Sequence, residues 1–217
     1  NLTRANTLNV LPSGYCYPYV YSSFDEQILS VNFGTMNNDQ YGIENCQTNY
    51  TDYGSSITAP IVNAGQTVSF SVVTDECDGP SYYASGLSIY IDYNRDGDFD
   101  DAGEQAYTSN STTISPNTRQ GDIVIPSDAA SGLTKMRVVV AESYYTPYPC
   151  SSFGYGEVED YAIMINGAPV SNNILDDEQI KAVSFGSMNN TQSDNCSANY
   201  TDYTTTVAAP VVTLGTS

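Results

Sequence analysis

Apolar and polar residues alternate with a period of two along much of the first two-thirds of the chain. Val68, Phe70 and Val72 alternate with Thr67, Ser69 and Ser71; Leu87, Ile89, Ile91 and Tyr93 with Ser88, Tyr90 and Asp92; Met136, Val138 and Val140 with Lys135 and Arg137. In an extended chain successive side chains point to opposite faces, so this pattern predicts strands with one face buried and one wet. Further strands are expected at 31–33, 105–108, 122–125 and 157–165, separated by Gly, Pro, Asn and Ser clusters that favour turns. No segment carries a sustained helical stripe. Roughly seven to nine short strands broken by turns favour an all-β fold, an antiparallel two-sheet β-sandwich.

The pattern also repeats at long range. Residues 25–38 read D-E-Q-I-L-S-V-N-F-G-T-M-N-N, and residues 177–190 read D-E-Q-I-K-A-V-S-F-G-S-M-N-N, 152 positions on; 46–60 and 196–210 match in the same way at 150. Self-similarity at a long fixed period signals tandem domains. The reading divides the chain into an N-terminal arm (1–15), a β-sandwich unit (16–166) and a partial second unit (167–217), with Asn-Gly-Ala-Pro at 166–169 as the linker. About a third of a sandwich cannot cover its own apolar face, so Val183, Phe185, Val207, Val211 and Val212 are expected to need strands from elsewhere. The arm carries Leu8, Val10 and Leu11, with Leu8 and Val10 at the alternate spacing a donated strand requires.

Composition narrows the class. The 217 residues carry 25 acidic against 6 basic side chains, a net charge of -19. So negative a field repels nucleic acid and anionic membrane surfaces. With no His and no Trp, His-dependent triads, His-ligated zinc and haem are excluded. Cys16, Cys46, Cys77, Cys150 and Cys196 show no C-x-x-C spacing, which favours disulfides over metal ligation or redox chemistry. Two bridges are expected within the first unit, with Cys46 bonded to Cys16 or to Cys77 among the connectivities left open, and Cys196 left without a homologous partner. These cysteines, the start at Asn1 and the lack of an apolar run long enough to span a bilayer suggest a processed extracellular or cell-surface chain without membrane insertion.

The most specific chemistry lies at 92–104, D-Y-N-R-D-G-D-F-D-D-A-G-E, with six carboxylates and one amide in thirteen positions. A hard divalent cation takes six to eight oxygen ligands, and a D-x-N-x-D-G opening brings side-chain oxygens from alternate residues to one side of a tight turn. The expected calcium ligands are Asp92, Asn94, Asp96, the carbonyl of Asp98 and Glu104, with Gly97 at the sharp turn and Asp100 a further candidate. In the helix-flanked calcium loop the bidentate acid stands twelfth; here that place is Gly103 and the acid follows one later, which argues against helical flanks. The bland alternative is a solvated acidic turn, but like charges packed this closely repel without a counter-ion.

Two stretches carry a family resemblance. Y-G-E-V-E-D-Y-A-I-M-I at 155–165 resembles the signature of the GEVED domain, and Y-I-D-Y-N-R-D-G-D-F-D-D-A-G-E from Tyr90 is similar to a second hallmark of that family. Weaker echoes are Tyr15-Cys16, N-Y-T-D-Y from Asn49, and M-R-V-V-V from Met136 ahead of Pro149-Cys150. The resemblance spans 16–166, with 168–217 as a partial second copy. It implies a secreted bacterial β-sandwich module, often repeated or appended to other domains, with no catalytic activity of its own. The second copy departs by having Ala168 in the place of Cys16, so no disulfide pattern carries over between copies.

In an extended 157–165, Glu157, Glu159 and Tyr161 share one face and Val158, Asp160 and Ala162 the other. The expectation is that Val158, Ala162 and Met164 face the core, leaving Asp160 at its edge. Glu157, Glu159 or Asp160 would then add to the metal site or form a second one, or instead pair with Arg137, Lys135 or Arg119. A glycosidase carboxylate pair is a remote third reading. Six N-x-[ST] triplets begin at Asn1, Asn49, Asn110, Asn189, Asn195 and Asn199, and tyrosines at 82–83, 144–145 and 148 could line a binding rim or pack in the strands. Together these readings predict a non-catalytic, calcium-binding extracellular structural subunit, of a fibre, appendage or surface coat, joined to other copies by strand exchange. The alternative is an adhesive or glycan-binding accessory module of a larger secreted protein.

Overall fold

The computed structural model describes residues 11–22, 26–41, 48–77, 83–142, 147–167 and 182–191. Thirteen strands are described: β1 (Tyr19–Ser22), β2 (Glu26–Phe33), β3 (Met36–Asp39), β4 (Tyr50–Asp52), β5 (Ile61–Asn63), β6 (Thr67–Glu76), β7 (Ser85–Ile91), β8 (Gln105–Thr108), β9 (Asn117–Val124), β10 (Gly132–Glu142), β11 (Ser152–Asn166), β12 (Ala182–Phe185) and β13 (Met188–Thr191). They fall into two compact units, Asn1–Ala168 and Pro169–Ser217.

The first unit is an all-β sandwich. One sheet has the order β3-β2-β6-β9, and the other β1-β11-β10-β7-β8. Their long pairings are antiparallel. The fifteen-residue β11 is the exception along one edge, where β1, β4 and β5 follow one another in parallel register. Between the sheets Ile28, Val31, Phe33, Val68, Phe70 and Val72 meet Leu87, Ile89, Ile91, Met136, Val138 and Val140. The alternation seen in the sequence therefore marks the faces that pack.

One expectation is corrected here. β7 and β10 are not half-buried, because Ser88, Tyr90, Lys135 and Arg137 on the opposite face are buried as well. The cause is a second apolar layer outside the larger sheet, made by Val20, Tyr90, Phe99, Val139 and Val158 with Tyr15, Tyr50 and Phe153 against them. The segment before β1 and the loop after β7 form that cover, so the wet-looking positions of the central strands face protein.

Cys16 is bonded to Cys150, closing a sequence separation of 134. Cys77 is also disulfide-bonded, while Cys46 and Cys196 lie outside the described residues. The Cys16–Cys150 bridge removes a Cys16–Cys46 pairing from the connectivities that the sequence left open.

In the second unit, β12 and β13 form an antiparallel hairpin. Its pairs Ala182–Thr191, Val183–Asn190, Ser184–Asn189 and Phe185–Met188 reproduce, 152 positions on, the pairs Ser30–Asp39, Val31–Asn38, Asn32–Asn37 and Phe33–Met36 of the β2–β3 hairpin. Each turn begins with a glycine of left-handed φ, 57° at Gly34 and 59° at Gly186, where a side chain would be strained. The burial differs: Val31 and Phe33 are each 1% exposed, Val183 and Phe185 43% and 58%. Val207, Val211 and Val212, like Leu8 and Val10 of the arm, lie outside the described residues.

Candidate functional site

The acidic loop connects β7 to β8, as the strand pattern required. Asp92 leaves the end of β7 fully buried, and its carboxylate is shared among the Tyr15 hydroxyl (2.6 Å to Oδ2), the Gly97 amide (3.2 Å) and the Arg95 amide (2.5 Å to Oδ1). Its carbonyl accepts the Thr134 hydroxyl at 2.7 Å. Asp92 thus fixes the loop's entry, and both its oxygens have partners within the protein. Gly97 has φ 96°, and a Cβ there would lie 2.4 Å from the Ser13 carbonyl, so turn geometry and the seated N-terminal segment both demand glycine. At the far end Glu104, 2% exposed, accepts the Tyr93 amide (3.0 Å) and the Asp101 amide (3.4 Å). Burial pushes its carboxyl up to about 7 against those amides, with Asp92 and Asp96 adding to the rise.

Between these ends the side chains of Asp96, Asp98 and Asp101 converge, one carboxylate oxygen from each lying within 4.8 Å of the others. The Asn94 amide donates to Asp96 (2.8 Å) and to Asp101 (2.5 Å), and its oxygen accepts the Asp96 amide (3.0 Å). The hydrogen bond from the Asn94 side chain holds the Asp96 carboxyl below the ordinary carboxylate range. Of the sequence-derived ligands, Asn94 and Asp96 are brought together, Asp98 joins them through its side chain rather than through the expected carbonyl, and Asp92 and Glu104 brace the loop at its ends. Asp100 is exposed, its amide donating to Asp98 (2.9 Å), and its neighbour Asp101 takes the place in the cluster. Three carboxylates at one turn fit a hard cation such as calcium or magnesium, and the Asn94 side chain, which turns its NH2 to two of them, would have to turn its oxygen inward to join them.

The acids of β11 sit elsewhere, and the strand faces the other way from the expectation. Tyr161, Ile163 and Ile165 point into the core between the sheets, while Val158 joins the outer layer. Glu157 and Glu159 therefore enter the sandwich interior, 1% and 0% exposed. The reason is the hairpin they meet. Glu157 Oε2 accepts the Ile28 amide (2.7 Å), Glu159 Oε1 accepts the Gln40 side-chain amide (2.6 Å) and Oε2 the Tyr161 hydroxyl (2.6 Å), and that hydroxyl accepts Asn38 Nδ2 (2.8 Å). Burial raises both carboxyls, Glu157 also because Glu159 lies beside it. Asp160, on the outer face, has the partners of the alternative reading. Arg137 Nε and Nη2 bind its two oxygens at 2.7 and 2.8 Å, Lys135 Nζ lies at 2.9 Å and the Tyr50 hydroxyl at 2.8 Å. Burial alone would raise the Asp160 carboxyl, but Arg137 and then Lys135 outweigh it and hold it below its usual value. Arg119, the third cation considered, bonds instead to Thr74 (2.7 Å) and the Ser85 carbonyl (2.8 Å).

The model of the GEVED domain family matches residues 86–164, which run from β7 through β11 and contain both the acidic loop and the motif strand. The chain carries a GEVED domain. A search of curated proteins finds no match. Among solved structures, the crystal structure of the CARDB domain of the PF1109 protein from Pyrococcus furiosus, in complex with di-metal ions, is similar at 8% identity and a TM-score of 0.36, over 65% of this chain and 94% of that one. The solution structure of the same domain gives 10% identity and 0.31, over 49% and 85%.

Four participants in these two places, the acidic loop and the motif strand, escape sequence reasoning. Asp101 has no alternate-residue spacing to mark it. Tyr15 reaches Asp92 across 77 positions, with its ring 5.2 Å from Phe99 and under Lys135 Nζ at 5.1 Å. Asn38 and Gln40 are the hairpin residues that the motif acids and Tyr161 hold. Their one sequence signal is recurrence, since Asn190 and Gln192 stand 152 positions on.

Proposed function

We propose that this protein is a non-catalytic, calcium-binding structural module of an extracellular or cell-surface assembly, a fibre, appendage or coat built through strand exchange. The observation that carries the reading is the convergence of Asp96, Asp98 and Asp101 in a loop whose two ends are already fastened by buried carboxylates. Three like charges held at one turn are relieved by a divalent cation, and a loop braced at both ends loses little entropy on binding it. The placement of Glu157, Glu159 and Asp160 supports a non-catalytic role, since each is buried and engaged by protein donors. The exposed β12 side chains support assembly, and the disulfide supports an oxidising compartment.

The adhesive alternative has its own observation. Tyr17, Tyr19 and Tyr21 alternate along the β1 segment and are 73%, 55% and 70% exposed. Such a row could stack on a neutral glycan, whereas the net charge disfavours anionic ones.

Calorimetric titration of chelator-treated protein with calcium, beside melting curves, tests the metal. A ligand confined to the folded state adds about 2.7 kcal/mol at a hundredfold excess over Kd. Calcium should raise the melting temperature, and an identical curve in chelator and in millimolar calcium would refute the reading. Glycan-array binding lost on replacing Tyr17, Tyr19 and Tyr21 with Ala would favour the alternative.

A further inference from the structure

The motif strand and the repeated hairpin explain each other. In the first unit β2–β3 is held by a face of β11 that offers Glu157 to the Ile28 amide, Glu159 to Gln40 and Tyr161 to Asn38. Around these bonds Val31, Phe33 and Met36 are buried. Every one of these hairpin residues recurs 152 positions on, as Ile180, Val183, Phe185, Met188, Asn190 and Gln192. The described part, β12–β13, has the same register and the same left-handed glycine turn. Among the described residues Val183 and Phe185 are exposed, where Val31 and Phe33 are buried. The matched family region, 86–164, contains the receiving face but neither hairpin, so hairpin and face are complementary pieces.

We propose that the β12–β13 hairpin is a docking element for the GEVED-type sheet of another module, recognised by a strand that presents Glu-x-Glu-x-Tyr on the facing side. The inference rests on the reading that the repeated hairpin takes part in assembly, and it names what the face that receives it must carry. Glu157 takes a main-chain amide that most hairpins could supply, but Glu159 Oε1 and the Tyr161 hydroxyl accept the side-chain amides of Gln40 and Asn38, so a hairpin without those two donors leaves buried acceptors short of a partner, which makes the pairing selective as well as apolar. The partner's own hairpin position must be open. In a copy of this chain that position is held by β2–β3, so docking between copies exchanges one matched hairpin for another and hides no additional apolar surface, whereas a GEVED-type sheet with a vacant position gains the full burial.

The full chain provides the probe. Val31→Asp with Phe33→Asp opens the hairpin position of its own GEVED face. The expected result is that this variant keeps a cooperative melting transition because β12–β13 fills the position, within the chain or from a second copy. Adding Val183→Asp and Phe185→Asp, at side chains exposed in the structure, should abolish that transition, and Asn190→Ala should lower it. A Val31→Asp, Phe33→Asp chain that is unfolded with β12–β13 intact, or one whose transition ignores the added substitutions, overturns the proposal. Sedimentation of the wild-type chain separates this from the assembly reading. Association that survives Val183→Asp with Phe185→Asp would retain assembly and reject this docking, whereas a wild-type monomer at all concentrations beside a rescued variant would retain the docking and reject exchange between copies.

Discussion

Three acids within four positions of β11 meet two different fates, and the period of two decides them. Glu157 and Glu159 project between the sheets among apolar side chains, and Asp160 projects outward onto Arg137 and Lys135. Glu157 is raised from an ordinary 4.5 to about 9, its Oε1 having no hydrogen-bond partner among the described residues. A carboxyl whose folded pKa exceeds its unfolded one binds more proton in the folded state, so between about pH 4.5 and 9 its contribution falls as pH rises. Glu159, raised to about 7, acts in the same direction over the lower part of that window. Asp160 has the opposite sign, stabilising above its ordinary 3.8 and losing that contribution as pH falls through its depressed folded value. Glu157→Gln keeps an acceptor for the Ile28 amide and removes the charge. It should flatten the decline of melting temperature between pH 6 and 9 and raise stability at pH 8 by about 1 kcal/mol or more, ~2–4 °C. A variant with the wild-type slope would show that Glu157 titrates normally.

At the scale of elements, what the sequence made legible is what depends on local spacing. Strand alternation located β6, β7 and β10, turn clusters bounded β8, and the D-x-N-x-D-G run located the turn and its glycine, because each is a relation among near neighbours. What was hidden depends on contacts across the chain. The strands β1, β4 and β5 on the parallel edge of β11 have only three or four residues each, too few for a period to stand out, and the outer layer that buries Lys135 and Arg137 includes residues more than a hundred positions away, such as Tyr15 and Cys16. The facing of β11 was misjudged for the same reason, since an acid looks like an outward residue until Ile28 and Gln40 are brought to it. The loop offers a test of the residue that spacing missed. If a cation sits among Asp96, Asp98 and Asp101, Asp101→Asn should weaken calcium affinity by tenfold or more, about 1.4 kcal/mol, while Asp100→Asn leaves it within about twofold. Calorimetric titration of the two variants side by side decides it, and the reverse order would return the ligand role to Asp100.

For the first unit taken whole, the question is what keeps the N-terminal segment in the outer layer, since that segment covers β7 and β10 and braces the acidic loop through Tyr15. Two connections meet at one place. Cys16 is bonded to Cys150, and Arg137, fixed by Asp160, donates to the Cys16 carbonyl (3.0 Å) and to the Pro149 carbonyl (2.8 Å). The covalent bond closes a loop of 134 residues, for which chain entropy gives about 4–5 kcal/mol, with 2–5 kcal/mol commonly lost when a native bridge is removed. Arg137→Ala should cost about 3–5 kcal/mol, because it leaves the buried Asp160 charge with Lys135 as its remaining cation. Since both hold residue 16 against 149–150, the effects should not add. With the bridge already replaced by Cys16→Ser and Cys150→Ser, the N-terminal segment is free to leave, and the further loss on Arg137→Ala should be smaller than in the wild type by at least about 0.5 kcal/mol. The double-mutant cycle is measured by denaturant melting. Strict additivity would mean that the two connections act independently, and that the outer layer is held by its apolar contacts instead.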